Sequence, residues 1–196
     1  SWVARDEGSA LPQDPRLARV MTFIERWRPP LEPGGNQLDV EIGLVTRVAE
    51  ALALGEFNRY QRPYVELALA LILRRHGENA QAARWLNPLV EDETFSPLLR
   101  EAMQRMRGSI DTERRHQASV VEHFERAVLA DQVSAENRGA ALYLLGELHR
   151  RLGRDAQAIA WFDRAIASRG LDENLLAWAR QQRAVCLAGA RSGPRR

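Results

Sequence analysis

Apolar residues recur along this chain at three- and four-residue spacing, the period of a helix with one buried face. The regular alternation of a half-buried strand is missing, as are Asn-Gly and Asp-Gly hairpin turns. The first stripe is Leu17, Val20, Met21, Ile24 and Trp27. Asp14-Pro15 precedes it, supplying an N-cap acceptor and a proline at the first helical position. The run "RPPLEPGGN" ends that helix. A second helix is predicted from Asp39 to Leu54, with Ile42, Val45, Ala49 and Leu52 inward and Gly55 closing it. From Tyr60 onward the pattern comes in pairs. Helices are predicted over 60–76 and 79–91, meeting at Gly77, with Pro88 in the last turn of the second. Ser96-Pro97 opens a helix to residue 110, and another follows over 113–130. Then come 135–152, 155–168 and 173–188, punctuated by Gly153, Gly170 and Gly189. The fold class this predicts is all-α.

One phrase is written twice. "RRHGENAQAARWL" at 74–86 returns as "RRLGRDAQAIAWF" at 150–162, identical at seven of thirteen positions and 76 residues later. Between them "VVEHFERAVLA" at 120–130 follows the pattern of "AIAWFDRAIAS" at 158–168, so a bulky residue recurs every 38 residues at Leu86, Phe124 and Phe162. Small residues keep step at Ala70, Gly108 and Gly146. A period of this size is the signature of stacked helix pairs, none of which can bury its apolar face alone. Small Gly146 and Ala158 are expected to let two helices approach closely, with Phe162 and Leu145 filling the space beside the contact.

These residues resemble the tetratricopeptide repeat. Its pattern is met by Leu142, Leu145-Gly146, His149, Ala158, Phe162, Ala165 and Gly170, with Leu142 for the usual Trp, His149 for the usual Tyr and Gly170 for the usual Pro. Leu69-Ala70, Leu73, Ala82, Leu86 and Leu89 follow it in the earlier copy. The middle copy keeps Gly108, Phe124 and Ala127 but has Arg107 where Leu is expected. The resemblance implies a right-handed α-solenoid of three to four antiparallel helix pairs and a C-terminal capping helix. It implies a single domain over 15–189: a divergent pair at 15–55, repeats at 60–94, 97–131 and 135–170, and the capping helix at 173–188. A lead-in at 1–14 and a basic tail at 190–196 flank it. It further implies a concave groove lined by first helices, at Leu67, Leu71 and Arg74, then Arg105, Ser109 and Thr112, then Tyr143, Glu147 and Arg150, with Gln181 from the last helix. Arg74, Arg105 and Arg150 would set three guanidinium forks along that groove, suited to a partner's carboxylates. The stretch "LYLLGELHRRLGRDAQAIAWFDRAI", with "LAWARQQ" after it, also resembles the C-terminal part of an uncharacterised bacterial family, over about residues 112–186. That family joins a cysteine-rich, zinc-ribbon-like N-terminal segment to a tetratricopeptide-like array; no Cys-x-x-Cys occurs in this chain.

Composition narrows the function without naming it. All 28 basic residues of the 196 are arginine, the formal net charge is +2, and no acid follows Glu173 while Arg180, Arg183, Arg191, Arg195 and Arg196 do. No apolar run approaches the roughly 18 residues of a membrane span, and a cytoplasmic protein is expected. His76, His116, His123 and His149 form no His-Glu-x-x-His motif, and the single Cys186 excludes an internal disulfide framework. "PGG" at 33–35 lacks the Lys-Ser/Thr tail of a phosphate loop. Glu91, Asp92 and Glu93 follow a helix end and read as solvated. Trp27, Trp85, Trp161 and Trp178 lie on apolar stripes and are expected in the core. No enzyme, cofactor or metal site is expected. The reading is a non-catalytic scaffold that binds a protein or peptide in the groove. The alternatives are a self-associating structural module and, third, an arginine-mediated nucleic-acid-binding accessory protein, for which base-stacking aromatics are poorly placed.

Overall fold

A computed structural model describes residues 11–31, 37–168 and 171–191. The lead-in before residue 11, the Gly-Gly loop, Gly170 and the tail beyond 191 lie outside the described residues. Among the described residues there are eight α-helices and no strand. They are α1 (Pro15–Ile24), α2 (Gln37–Ala53), α3 (Arg62–Arg75), α4 (Asn79–Leu86), α5 (Pro97–Leu129), α6 (Arg138–Arg151), α7 (Asp155–Ala167) and α8 (Glu173–Arg191), with short 3-10 turns after α1 and α4. The chain divides into two compact units, Ser1–Thr112 and Glu113–Arg196, where a single domain over 15–189 is expected from the sequence.

The first unit is built around α3. Its residues from Tyr64 to Leu73 are buried almost without interruption, because α1, α2 and α4 all pack on it. The Asp14 carboxylate caps α1 as its sequence predicts, accepting from the backbone N–H of Arg16 at 2.7 Å and of Leu17 at 3.2 Å. In α2 the inward stripe differs from the predicted one. Val40, Leu44, Val48, Ala51 and Leu52 are buried, Val45 and Ala49 are partly buried, and Ile42 is exposed. Two overlapping stripes fit the helical period here. A Cβ at Gly43 would lie 2.8 Å from Pro29 Cγ, so this side of α2 is pressed against the preceding loop. From α5 this unit takes Leu99, Met103, Met106 and Ile110, all buried.

The repeated phrase builds the same hairpin twice. Gly77 has φ of 74° and Gly153 of 73°, the left-handed conformation that ends a helix cheaply only at glycine. The next N–H reaches back five residues in each copy, from Glu78 to Leu73 O at 3.0 Å and from Arg154 to His149 O at 2.9 Å. Both bonds satisfy carbonyls the helix end would otherwise orphan. In the second unit α7 lies close on α6 at Gly146, where a Cβ would meet the Phe162 ring at 2.5 Å. Ala158, Phe162 and Ala165 are fully buried there, and α8 packs on both α7 and α6.

The middle copy departs from expectation. Residues 97–131 do not form a helix pair; α5 runs unbroken through 33 residues from Pro97 to Leu129. Gly108 is not the counterpart of Ala70 and Gly146, since it is exposed and a Cβ there would meet nothing within 4 Å. Phe124 is only partly buried, unlike Leu86 and Phe162. The physical reason is that "GSID" at 108–111 holds neither a proline nor a glycine with positive φ. A mid-helix glycine costs only about 1 kcal/mol against alanine, too little to break a helix packed at both ends. Gly108→Ala is accordingly expected to raise stability by roughly 0.5–1 kcal/mol in chemical denaturation. A loss of stability would mean that the helix does not run straight through residue 108.

Candidate functional site

The ten residues expected to line a groove divide between the two units. In the first, Leu67 is 0% exposed and belongs to the core. It cannot touch a partner, because α3 is covered on the face its sequence spacing assigned to the groove. Leu71 is partly buried against the same core. Arg74 reaches α5 and donates to Ser109 Oγ at 3.3 Å, so these two predicted residues are brought together. Arg105 and Thr112 lie exposed on α5. Arg105 pairs with Glu101 at 2.6 Å, one turn away and equally exposed. Such a solvated pair contributes about 0.3–0.5 kcal/mol, little enough for a partner's carboxylate to compete with Glu101. The Thr112 hydroxyl donates back to Gly108 O at 3.0 Å.

In the second unit Tyr143, Glu147 and Arg150 come together on α6, but in contacts of their own. Arg150 is forked on Glu147, with Nη2 to Oε1 at 2.7 Å and Nε to Oε2 at 2.9 Å, and Arg151 Nε adds a third bond at 3.0 Å. Burial pushes the Glu147 carboxyl up, yet the bonds and charges of Arg150 and Arg151 outweigh it and hold the group below its ordinary value. The Tyr143 ring stands 5.9 Å from that of Phe162, and burial and the Glu147 charge push its hydroxyl up. Cys186 of α8 sits in the cluster with Ala158, Phe162 and Ala179. Burial first, then the charge of Asp155, raises its thiol to about 11, so it stays protonated and serves as a small core residue. Gln181 lies exposed on α8.

Three features carried no warning in the sequence. Trp178, expected in the core, is 54% exposed, as is Val185 at 49%, seven residues on along α8. Trp161 is buried as its stripe predicts, and Trp27 and Trp85 are partly buried. Glu41 of α2 is buried with its carboxylate bound by Arg75, 2.6 Å from His76 Nε2 and 3.8 Å from Arg28 Nη1. An open cleft of about 570 Å³ lies where α1 and α5 begin, with Arg16, Arg19 and Glu93 around the buried rings of Tyr64 and Phe95. Each depends on residues far apart in the chain, which spacing along one helix cannot reveal.

Among the described residues no three His, Cys, Asp or Glu side chains stand together as metal ligands. No described helix is long and apolar enough to cross a membrane. The hairpin phrase, α5 and the α6–α8 unit are also where a known family is found. Residues 75–186 match the model of a family described as an uncharacterized protein conserved in bacteria, DUF2225. The chain belongs to that family. The match runs from the end of α3 to Cys186 in α8, taking in the α4 arm, all of α5 and the α6–α7 hairpin. No curated protein and no solved structure matches the chain.

Proposed function

We propose that this DUF2225 member is a non-catalytic scaffold that binds a peptide or partner protein on its helical faces, and that its hairpins are of the tetratricopeptide kind within an α-solenoid. The observation that carries the reading is the hairpin written twice, with the same left-handed glycine, the same five-residue back-bond and small residues at the helix contact. Repeated helix pairs present successive exposed faces, and recognition by such arrays uses those faces rather than a single pocket. Of the residues expected at the groove, Arg105, Ser109 and Thr112 on α5 and Gln181 on α8 are exposed. Arg150 and Glu147 act instead as an internal clamp. The test is a pull-down from the source bacterium with wild-type chain and with Arg105→Glu. A partner retained by the first and lost by the second, at unchanged thermal midpoint, is the expected result. Recovery of the same proteins by both would remove α5 from the recognition surface.

Exposed Trp178 and Val185 favour a second reading, self-association through α8. They lie seven residues apart, and so on one side of the helix. Large exposed apolar side chains grouped on one face mark contact surfaces. Light scattering over a wide concentration range should then show a dimer that Trp178→Glu converts to monomer. A wild-type chain that stays monomeric throughout would end this reading.

A further inference from the structure

His149 is 2% exposed on α6, and neither ring nitrogen has a hydrogen-bond partner. Its nearest polar neighbour is Glu125 of α5, with Oε2 at 3.6 Å from Nε2. That is beyond hydrogen-bond reach, yet within the range where a charge on the imidazole would be felt strongly. The other charged groups acting on the ring are Glu122, also from α5, and Arg154 from the turn before α7. Those two are paired with each other at 3.5 Å. A buried polar ring without partners is costly and uncommon in a folded chain, and here it sits between the second half of α5 and the α6–α7 hairpin.

We propose that His149 and Glu125 form a proton-operated latch that holds α5 against α6 at neutral pH and loosens as the medium turns mildly acid. In the neutral state the imidazole fills the helix contact as an apolar ring. A proton converts it to a buried cation, with the Glu125 carboxylate 3.6 Å away, beyond hydrogen-bond reach. Burial disfavours that cation first, Arg154 adds to the penalty, and Glu125 and Glu122 offset only part of it, so the ring's value lies below its ordinary 6.5. A histidine with a lowered folded value binds fewer protons folded than unfolded. The folded contact is therefore fully held above about pH 6.5 and weakens as pH falls through that value towards the lower folded one. Glu147 and Glu41, both held below the ordinary carboxylate value, contribute their own losses only below about 4.5.

The test follows the four imidazoles by NMR from about pH 7.5 to about pH 5, with amide exchange in residues 118–129 measured alongside on the full chain. His149 is assigned by through-bond correlation of its ring signals with its own backbone amide. The expected result is a His149 titration below 6.5 that moves lower still in Glu125→Gln, with exchange in 118–129, taken relative to the intrinsic amide rate at each pH, rising in acid in wild type and staying flat in His149→Phe. A His149 titration at or above 6.5, or one unmoved by Glu125→Gln, overturns the latch. So does an acid-induced rise in exchange that persists in His149→Phe. Should His149→Phe fail to fold, the Glu125→Gln titration decides by itself, because Glu125 lies at a partly exposed position and its glutamine variant keeps the same shape.

Discussion

Phe162→Ala is expected to destabilise the second unit by about 3–5 kcal/mol. The ring is wholly buried, lies over Gly146, and touches the cluster of Ala158, Ala179 and Cys186. Its removal leaves a cavity between three helices, and the buried Ala158 and Ala179 beside it are too short to collapse into it. Gly146→Ala provides the complementary measurement. With Phe162 present, the new methyl would meet the ring at 2.5 Å, at a cost of roughly 1–3 kcal/mol. With Phe162→Ala already made, the clash disappears, so the two effects should be strongly non-additive. Because the chain comprises two compact units, amide exchange within α6 and α7 is the measurement that isolates them. Additive behaviour would mean that the ring does not rest on residue 146.

Glu41→Ala should cost the first unit about 1.5–3 kcal/mol. This carboxylate is the common acceptor for Arg75 at the end of α3 and His76 just after it, and it lies 3.8 Å from Arg28 after α1. The cost stays below that of a fully buried pair because the Arg75 side chain is 42% exposed and can return to water. Burial raises the carboxyl, but hydrogen bonds from His76 and Arg75 more than reverse it. A carboxylate lowered in the fold stabilises above its unfolded value and loses that contribution as pH falls below it. The gap between wild type and Glu41→Ala should thus be full near neutrality and shrink below about pH 4.5. Denaturant midpoints at both pH values check this. A gap independent of pH would show that Glu41 acts by packing and not by charge.

The helices were legible wherever a local signal marks their ends. Asp14-Pro15, Gly77 and Gly153 each act on backbone groups within a few residues, so their meaning does not depend on what packs above them. Pro88 is an instructive intermediate. The α-helix stops at Leu86 and the chain tightens into a 3-10 turn over Asn87–Leu89, which spares the bond that proline cannot donate. The candidate site was less legible. Leu67 and Ile42 each lie on a plausible helical stripe, and only the neighbouring helices decide which stripe is covered. Arg74 and Arg150 lie at equivalent repeat positions, yet one reaches Ser109 on another helix and the other folds back on Glu147. The leucine at position 71 against glutamate at 147 accounts for that difference, and it falls outside the thirteen positions compared.

By itself the order of residues determined the all-α class, the hairpins turning at Gly77 and Gly153, and a close helix approach at Gly146 and Ala158 with Phe162 beside it. These follow from periodicity, caps and side-chain volume, all properties of short stretches. Tertiary structure alone decided that α5 runs through Gly108 and that Trp178 faces outward. It also decided that Glu41 gathers cations from distant segments and that His149 lies without a hydrogen bond beside Glu125. Each of these is settled by which surfaces meet across tens of residues, where a few kcal/mol of burial or desolvation outweighs the fraction of a kcal/mol that local preference supplies.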